Sequence, residues 1–261
     1  MINTLKIPKS LESLKKPPKE LFYIGNKKLL DNFKVAIVGT RRPNQYTQII
    51  TATLAQKISK YATIISGGAI GIDFIAHTNS MPNTIMISPG SLDITYPKEN
   101  SKLINDIKNK ALIISEYESP YFPKKYSFLE RNRIVIALSD IVIFPQGDLN
   151  SGTNYSAKIA IELNKPIWTI PHRYKESPLS EYLIINKYAK VIYDIDDFIR
   201  DSILDSKIQN TQSLESKNDE ILEFCKNAPS FEVALEKFGD RILEYEFMGL
   251  LVRQNNKIKT K

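Results

Sequence analysis

A chain of 261 residues, 42% of them hydrophobic and 25% charged, is long enough for one α/β domain of about 200 residues plus a small appendage, with a core that needs no staple. One cysteine, Cys225, excludes an intramolecular disulfide, and with two histidines, His77 and His172, it leaves a zinc site unsupported. No cofactor is implied, and no apolar run approaches the roughly 20 residues of a membrane span. The net charge of +7 divides as +4 in residues 1–33, +3 in residues 34–205 and zero in residues 206–261, a mild surplus that suits a polyanion without requiring one.

Residues 1–33 are rich in Lys and Pro, and Pro17-Pro18 breaks any early helix, so they are expected to form a basic lead-in. Their start, MINTLKIPKSLESLKK, lacks the apolar stretch of a signal peptide, and the expected compartment is the cytoplasm. Short apolar runs then alternate with helical patterns. KVAIV (34–38), TII (63–65), TIMI (84–87), ALII (111–114), IVIF (141–144), IWTI (167–170) and VIY (191–193) read as buried strands. Helical spacing covers 45–61, 100–109, 128–139 and 153–164. Strands apolar on both faces, alternating with helices, predict a Rossmann-like, doubly wound, mostly parallel sheet over residues 34–205. The polar stretch 206–219 reads as a linker. Residues 220–261 suggest three short helices and a hairpin turning at Asn255-Asn256, a winged-helix-like α+β domain.

Ligands of open parallel sheets bind beyond the carboxyl ends of the strands. Three expected strands exit there into unusual loops: Gly39-Thr40-Arg41-Arg42-Pro43, the run from Ser66, Gly67 and Gly68 to Asp73, and Pro145-Gln146-Gly147 leading to Ser151-Gly152-Thr153. Glycines let backbone N–H groups approach an anion, and Arg41 or Arg42 would add charge-assisted bonds to a phosphate. Neither a P-loop nor a dinucleotide GxGxxG spacing occurs in these turns.

The segment PYFPKKYSFLERNR (120–133) adds Lys124, Lys125, Arg131 and Arg133, interleaved with aromatic residues. Lysines there can meet phosphates while Phe128 stacks on an exposed base, a mixture that fits single strands better than duplex. Phe128 and Tyr126 equally suit helix-entry core positions. Arg131 and Arg133, two apart on a helix, cannot share one face closely. Asp73 reads as a helix-start acceptor, and His77, four residues on, as a structural histidine or its acid/base partner. No complete catalytic constellation stands out, so an enzyme is not expected.

Together these residues resemble the DNA-processing protein A (DprA) family. VAIVGTRR (35–42), SGGAIGID with His77, SLDITYPKEN (91–100), LIISEY (112–117), FLERNRIVIALS (128–139) and SGTNYSAKIAIELNKPIWTIP (151–171) carry the likeness, with PPKELFYIG (17–25) ahead of them. The resemblance implies a Rossmann-like protein, usually a homodimer, that binds and shields single-stranded DNA entering by natural transformation and helps load the recombinase RecA onto it. It places the phosphate-contacting arginine at Arg41 or Arg42 and the glycine loop at Ser66, Gly67 and Gly68. The lysine and stacking aromatic fall on Lys125 and Phe128, and an RNR triplet on Arg131, Asn132 and Arg133. Backbone donors would come from near Ser151 and Gly152. Pro171-His172 replaces the family's Pro-Gly, and ESPYFPKKYS lacks the expected glycine. The competing expectation is a nucleotide enzyme of the phosphoribohydrolase-like Rossmann folds, but its catalytic glutamate would fall at Ser156.

Overall fold

A computed structural model describes residues 1–205, 220–247 and 249–260. It comprises two compact units, Met1–Ile203 and Leu204–Lys261.

In the first unit, chain order runs β1 (Asn3–Leu5), β2 (Leu21–Gly25), β3 (Lys34–Ile37), α1 (Gln45–Ile58), β4 (Thr63–Ser66), α2 (Ile72–Ser80) and β5 (Thr84–Ile87). It continues through α3 (Ser101–Lys110), β6 (Leu112–Ser115), α4 (Lys125–Leu138), β7 (Ile141–Ile143) and α5 (Gly152–Glu162). The unit closes with β8 (Ile167–Thr169), α6 (Pro178–Ile185), β9 (Ala189–Val191) and α7 (Ile195–Phe198). Every residue of β4, β5 and β6 is buried, which is why these strands read as unbroken TIIS, TIMI and LIIS rather than as alternating patterns. Helix α1 starts at Asn44, whose side chain accepts from Thr47 N–H at 2.8 Å, a cap worth about 1 kcal/mol. It buries Thr47, Thr51, Leu54, Ala55 and Ile58, one stripe at helical spacing.

The sheet order is β1-β2-β6-β5-β4-β3-β7-β8-β9, parallel from β6 through β9. The chain steps outward from β3 through β4, β5 and β6, then returns to β7 on the other flank of β3. This is the doubly wound arrangement, and its reversal opens a crevice at the carboxyl ends of β3 and β7.

Two local expectations are corrected, and one helix is added. Residues 1–33 are not a separate lead-in: β2 pairs antiparallel with β6 from Phe22↔Ser115 to Gly25↔Leu112, and β1 pairs with β2. Leu11, Leu21 and Leu29 join the main core, so this basic segment also supplies apolar anchors. The last strand lies at 189–191 rather than 191–193, and the stretch before it folds as α6, entered at Ser177 with proline in its first turn.

The second unit holds α8 (Glu220–Cys225), α9 (Phe231–Phe238), α10 (Arg241–Phe247) and a hairpin of β10 (Leu251–Gln254) and β11 (Lys257–Thr260). Asn255 and Asn256 have φ of 50° and 59°, the turn their side chains predict. Ile221, Cys225, Ala234, Ile242, Leu251 and Ile258 form its core, so three helices and a wing are present as expected. The expected linker 206–219 lies outside the described residues. Among those described, no helix is long and apolar enough to cross a membrane.

Candidate nucleic-acid interface

The loops leaving β3, β4 and β7 are tied together at the carboxyl edge. Thr40 N–H donates to the Gln146 carbonyl at 2.9 Å, and Ile72 N–H donates to the Thr40 carbonyl at 3.2 Å. The Gln146 side chain accepts from Asn44 N–H at 3.0 Å. Gly71, with φ of 84°, sits so close to this joint that a Cβ would lie 2.6 Å from the Arg41 and Thr40 carbonyls. Only glycine gives both that conformation and that approach.

This bracing leaves Arg41 and Arg42 exposed at the rim. Arg41 stands with its guanidinium carbon 5.4 Å from the Phe128 ring centroid, within cation–π range. Tyr96 meets the same ring edge-on at 5.7 Å and 63°. Arg41, Ile70, Tyr96, Glu99, Lys125 and Phe128 line a groove of about 310 Å³. Phe128 is half-buried, with Tyr96 and Arg41 packed against it. Two cations face one carboxylate there, so the groove keeps a positive surplus beside an aromatic floor.

Below it lies a buried layer. Ser66 donates its hydroxyl to the Ile37 carbonyl at 2.7 Å, and Gly68 packs on Met86. The Asn100 amide donates to the Gly68 carbonyl at 3.1 Å. Arg131 is 2% exposed, and its Nη1 donates to the carbonyls of Gly67 and Ile87. Burial brings its pKa down to about 10, the nearby Asp73 charge opposing and Arg41 adding to the fall. Asp73, the second residue of α2, accepts from Ala69 N–H in the preceding loop at 3.3 Å rather than capping the helix; burial raises its pKa while Arg131 pulls it down. His77 does not form an acid/base pair with it. Its Nδ1 lies 2.7 Å from the Thr84 hydroxyl, and burial, reinforced by Arg131, lowers its pKa to about 3.

The expected site residues therefore separate. Arg41, Lys125 and Phe128 come together in the groove, and Arg42 stands exposed next to Arg41. Lys124 is exposed and does not line the groove; its ammonium lies 5.9 Å from the Tyr121 ring and 6.0 Å from that of Tyr126. Ser66, Gly67 and Gly68 lie beneath the surface, supporting the loop rather than presenting side chains. The RNR triplet points into the protein. Besides Arg131, Asn132 donates to Ser156 Oγ at 2.9 Å. Arg133 makes a two-pronged pair with Glu116 at 2.7 and 2.6 Å, both side chains 13% exposed. Ser151 caps α5, accepting from Asn154 N–H at 3.2 Å, and Gly152 packs near Leu129; neither lines the groove. Ser156, where the competing reading needs a carboxylate, is buried and donates to the Gly152 carbonyl at 3.1 Å. Sequence reasoning missed Tyr96 as part of the site; the aromatic before Pro97 in the loop after β5 was its one signal. Among the described residues, no group of His, Cys, Asp and Glu side chains could hold a metal.

Fold and site thus define a doubly wound α/β protein with a basic, aromatic-floored groove at the carboxyl edge of its sheet. The chain belongs to the DNA recombination-mediator protein A family, whose model matches residues 1–202. DNA processing protein DprA of Bacillus subtilis is 32% identical over 225 residues, covering 81% of this chain and 74% of that protein. Its namesake from Streptococcus pneumoniae is 35% identical over 167 residues, 63% of this chain and 59% of its own length. Two solved structures share the fold. DNA processing protein A of Helicobacter pylori, described for its single-stranded DNA binding mode, superposes with a TM-score of 0.77 at 49% identity, covering 78% of this chain and 96% of that one. The S. pneumoniae DprA structure gives 0.71 at 30% identity, with coverages of 77% and 74%.

Proposed function

We propose that this chain binds and protects incoming single-stranded DNA during natural transformation and helps load RecA onto it, acting in the cytoplasm as a homodimer and without catalysis. The groove carries the reading. Arg41 and Lys125 stand beside the Phe128 ring on a face braced by three loops, the combination of phosphate contact and stacking surface that an unpaired strand needs. The single-strand binding described for the H. pylori protein supports it. Self-association is supported by an apolar patch beside β9, where Tyr182, Ile185 and Tyr188 are 41%, 71% and 44% exposed. A dimer would present two such grooves and raise avidity for long strands.

The test is fluorescence anisotropy of labelled single-stranded and duplex oligonucleotides of equal length at two salt concentrations. Tight single-strand binding that weakens with salt, with duplex far behind, is the expected result and would lead to a RecA-loading assay. Equally weak binding to both would overturn the reading.

A further inference from the structure

The segment between β6 and α4 holds a second aromatic surface that the groove does not use. The rings of Tyr117 and Tyr121 lie parallel, 4.0 Å apart between centroids. The Tyr121 hydroxyl donates to that of Tyr126 at 3.1 Å, and the Tyr117 hydroxyl to Glu130 at 3.4 Å. Tyr121 N–H donates to Ser91 Oγ at 2.8 Å, while its carbonyl accepts from Ser91 N–H at 3.1 Å. Gly90 lies so close that a Cβ there would be 2.8 Å from the Pro123 ring. Ring stack, hydroxyl bonds, backbone bonds and the tight glycine approach hold the segment in one shape. On this fixed base Phe122 is 72% exposed and Tyr126 49%. The Lys124 ammonium stands about equally far from the Tyr121 and Tyr126 rings.

A phenyl ring held in solvent on a braced loop, with a lysine two residues away, is a surface waiting for a planar, negatively charged partner. We propose that Phe122, Lys124 and Tyr126 form a second base-stacking station for the same unpaired strand, with Lys124 meeting a phosphate between the stacked bases. This inference rests on the groove being a strand site. Pro123 and Lys125 line the groove, whereas Phe122, Lys124 and Tyr126 do not. The chain over 122–126 therefore separates two stations, and the adjacent lysines serve one each. A strand leaving the groove past Lys125 meets Lys124 next. The ligand is then a polynucleotide spanning both stations rather than a mono- or dinucleotide. Stacking suits it, since every base offers a π-face and no particular sequence is required.

The experiment measures anisotropy of full-length protein with oligothymidylates from about three to about twenty nucleotides, for wild type, Phe122→Ala, Phe122→Ala with Tyr126→Ala, and Phe128→Ala. Wild-type affinity should rise with length in two steps. The double variant should keep wild-type affinity for the shortest strands that bind and lose about tenfold or more on long ones. Phe128→Ala should weaken every length. Wild-type affinity of the double variant for long strands overturns the second station while leaving the groove intact. Failure of the wild type to bind any strand, or indifference to Phe128→Ala, overturns the groove and the station with it. Phe122→Ala alone decides the matter if loss of the Tyr126 hydroxyl loosens the segment, because the Phe122 side chain is mostly in solvent.

Discussion

Lys125 and Phe128 occupy the first turn of α4, Arg131 the second and Arg133 the third. The first pair borders the groove; the two arginines end on the Gly67 and Ile87 carbonyls and on Glu116. Lys125 and Arg131 are both cations on one helix, and helix phase separates them. Ser127, Arg131, Ile134, Val135 and Leu138 form a buried stripe along α4, joined near its end by Ile136 and Ala137, and Arg131 sits on that stripe at the spacing of a core residue. A cation on the stripe must direct its charge to internal acceptors. A cation off it escapes that constraint: Lys125 borders the groove, whereas Arg133 is held by Glu116.

The largest effect should come from the buried turn. Arg131→Ala leaves two carbonyls and Asp73 without their partner and should lower unfolding free energy by about 3–5 kcal/mol in urea titration. Unchanged stability with abolished strand binding would instead place this arginine at the DNA.

Acid should find the same layer. His77 is held neutral, with its pKa lowered to about 3, whereas unfolding returns it to its ordinary value of 6.5. Unfolding therefore takes up a proton, and stability should fall between pH 6.5 and 3, by up to about 1.4 kcal/mol per pH unit. Asp73 acts in the opposite sense, because its raised pKa lets the folded protein take a proton first as pH falls. His77→Gln should remove the histidine's part of the slope and leave that of the aspartate. Equal slopes in both proteins would mean that the histidine already titrates normally in the fold.

On the exposed side the effects should appear in affinity rather than stability. Arg41→Ala with Arg42→Ala should weaken binding to all sequences by about tenfold or more and lower the salt slope by roughly 0.7 for each phosphate left without its cation. A constant slope would remove the first loop from the interface. Phe128→Ala should cost about 1–3 kcal/mol of binding with little change in slope. A large drop in thermal midpoint would return Phe128 to the core. Ending the chain at residue 205 should change strand affinity least, by a few-fold at most. A hundredfold loss would show that the second unit grips the strand.

The parallel strands were legible because burial on both faces leaves runs with no polar alternation, rich in isoleucine, as in TIMI and LIIS. The N-terminal strands were not. Lysines and the Pro17-Pro18 break set the look of residues 1–33, and only Leu21 of the five residues in β2 is fully buried, so neither a continuous run nor a clean alternation marks it. Helix α6 was hidden in a stretch that reads as loop, although Ser177-Pro178 is a start signal. At the site, motifs pointed to loops that the fold brings to one edge of the sheet, but they could not say which side chains reach the surface. For Arg131 the signal lies in its spacing from Ile134, Val135 and Leu138, which puts it on the apolar stripe. For Arg133 no such signal exists, since its partner Glu116 comes from another element.

The pairing of β2 with β6 has a consequence for how the molecule is made. The partners lie roughly ninety residues apart, a long-range pairing of the slow-forming kind. On the ribosome, β2 emerges before any of the parallel strands exist, and its edge must wait until β6 is synthesised. During that interval Leu21–Gly25 has only β1 as a partner, and its other edge is a surface another nascent chain could capture. Lys19, Lys27 and Lys28 flank that strand, and like charges at an open edge disfavour pairing with a second copy of it.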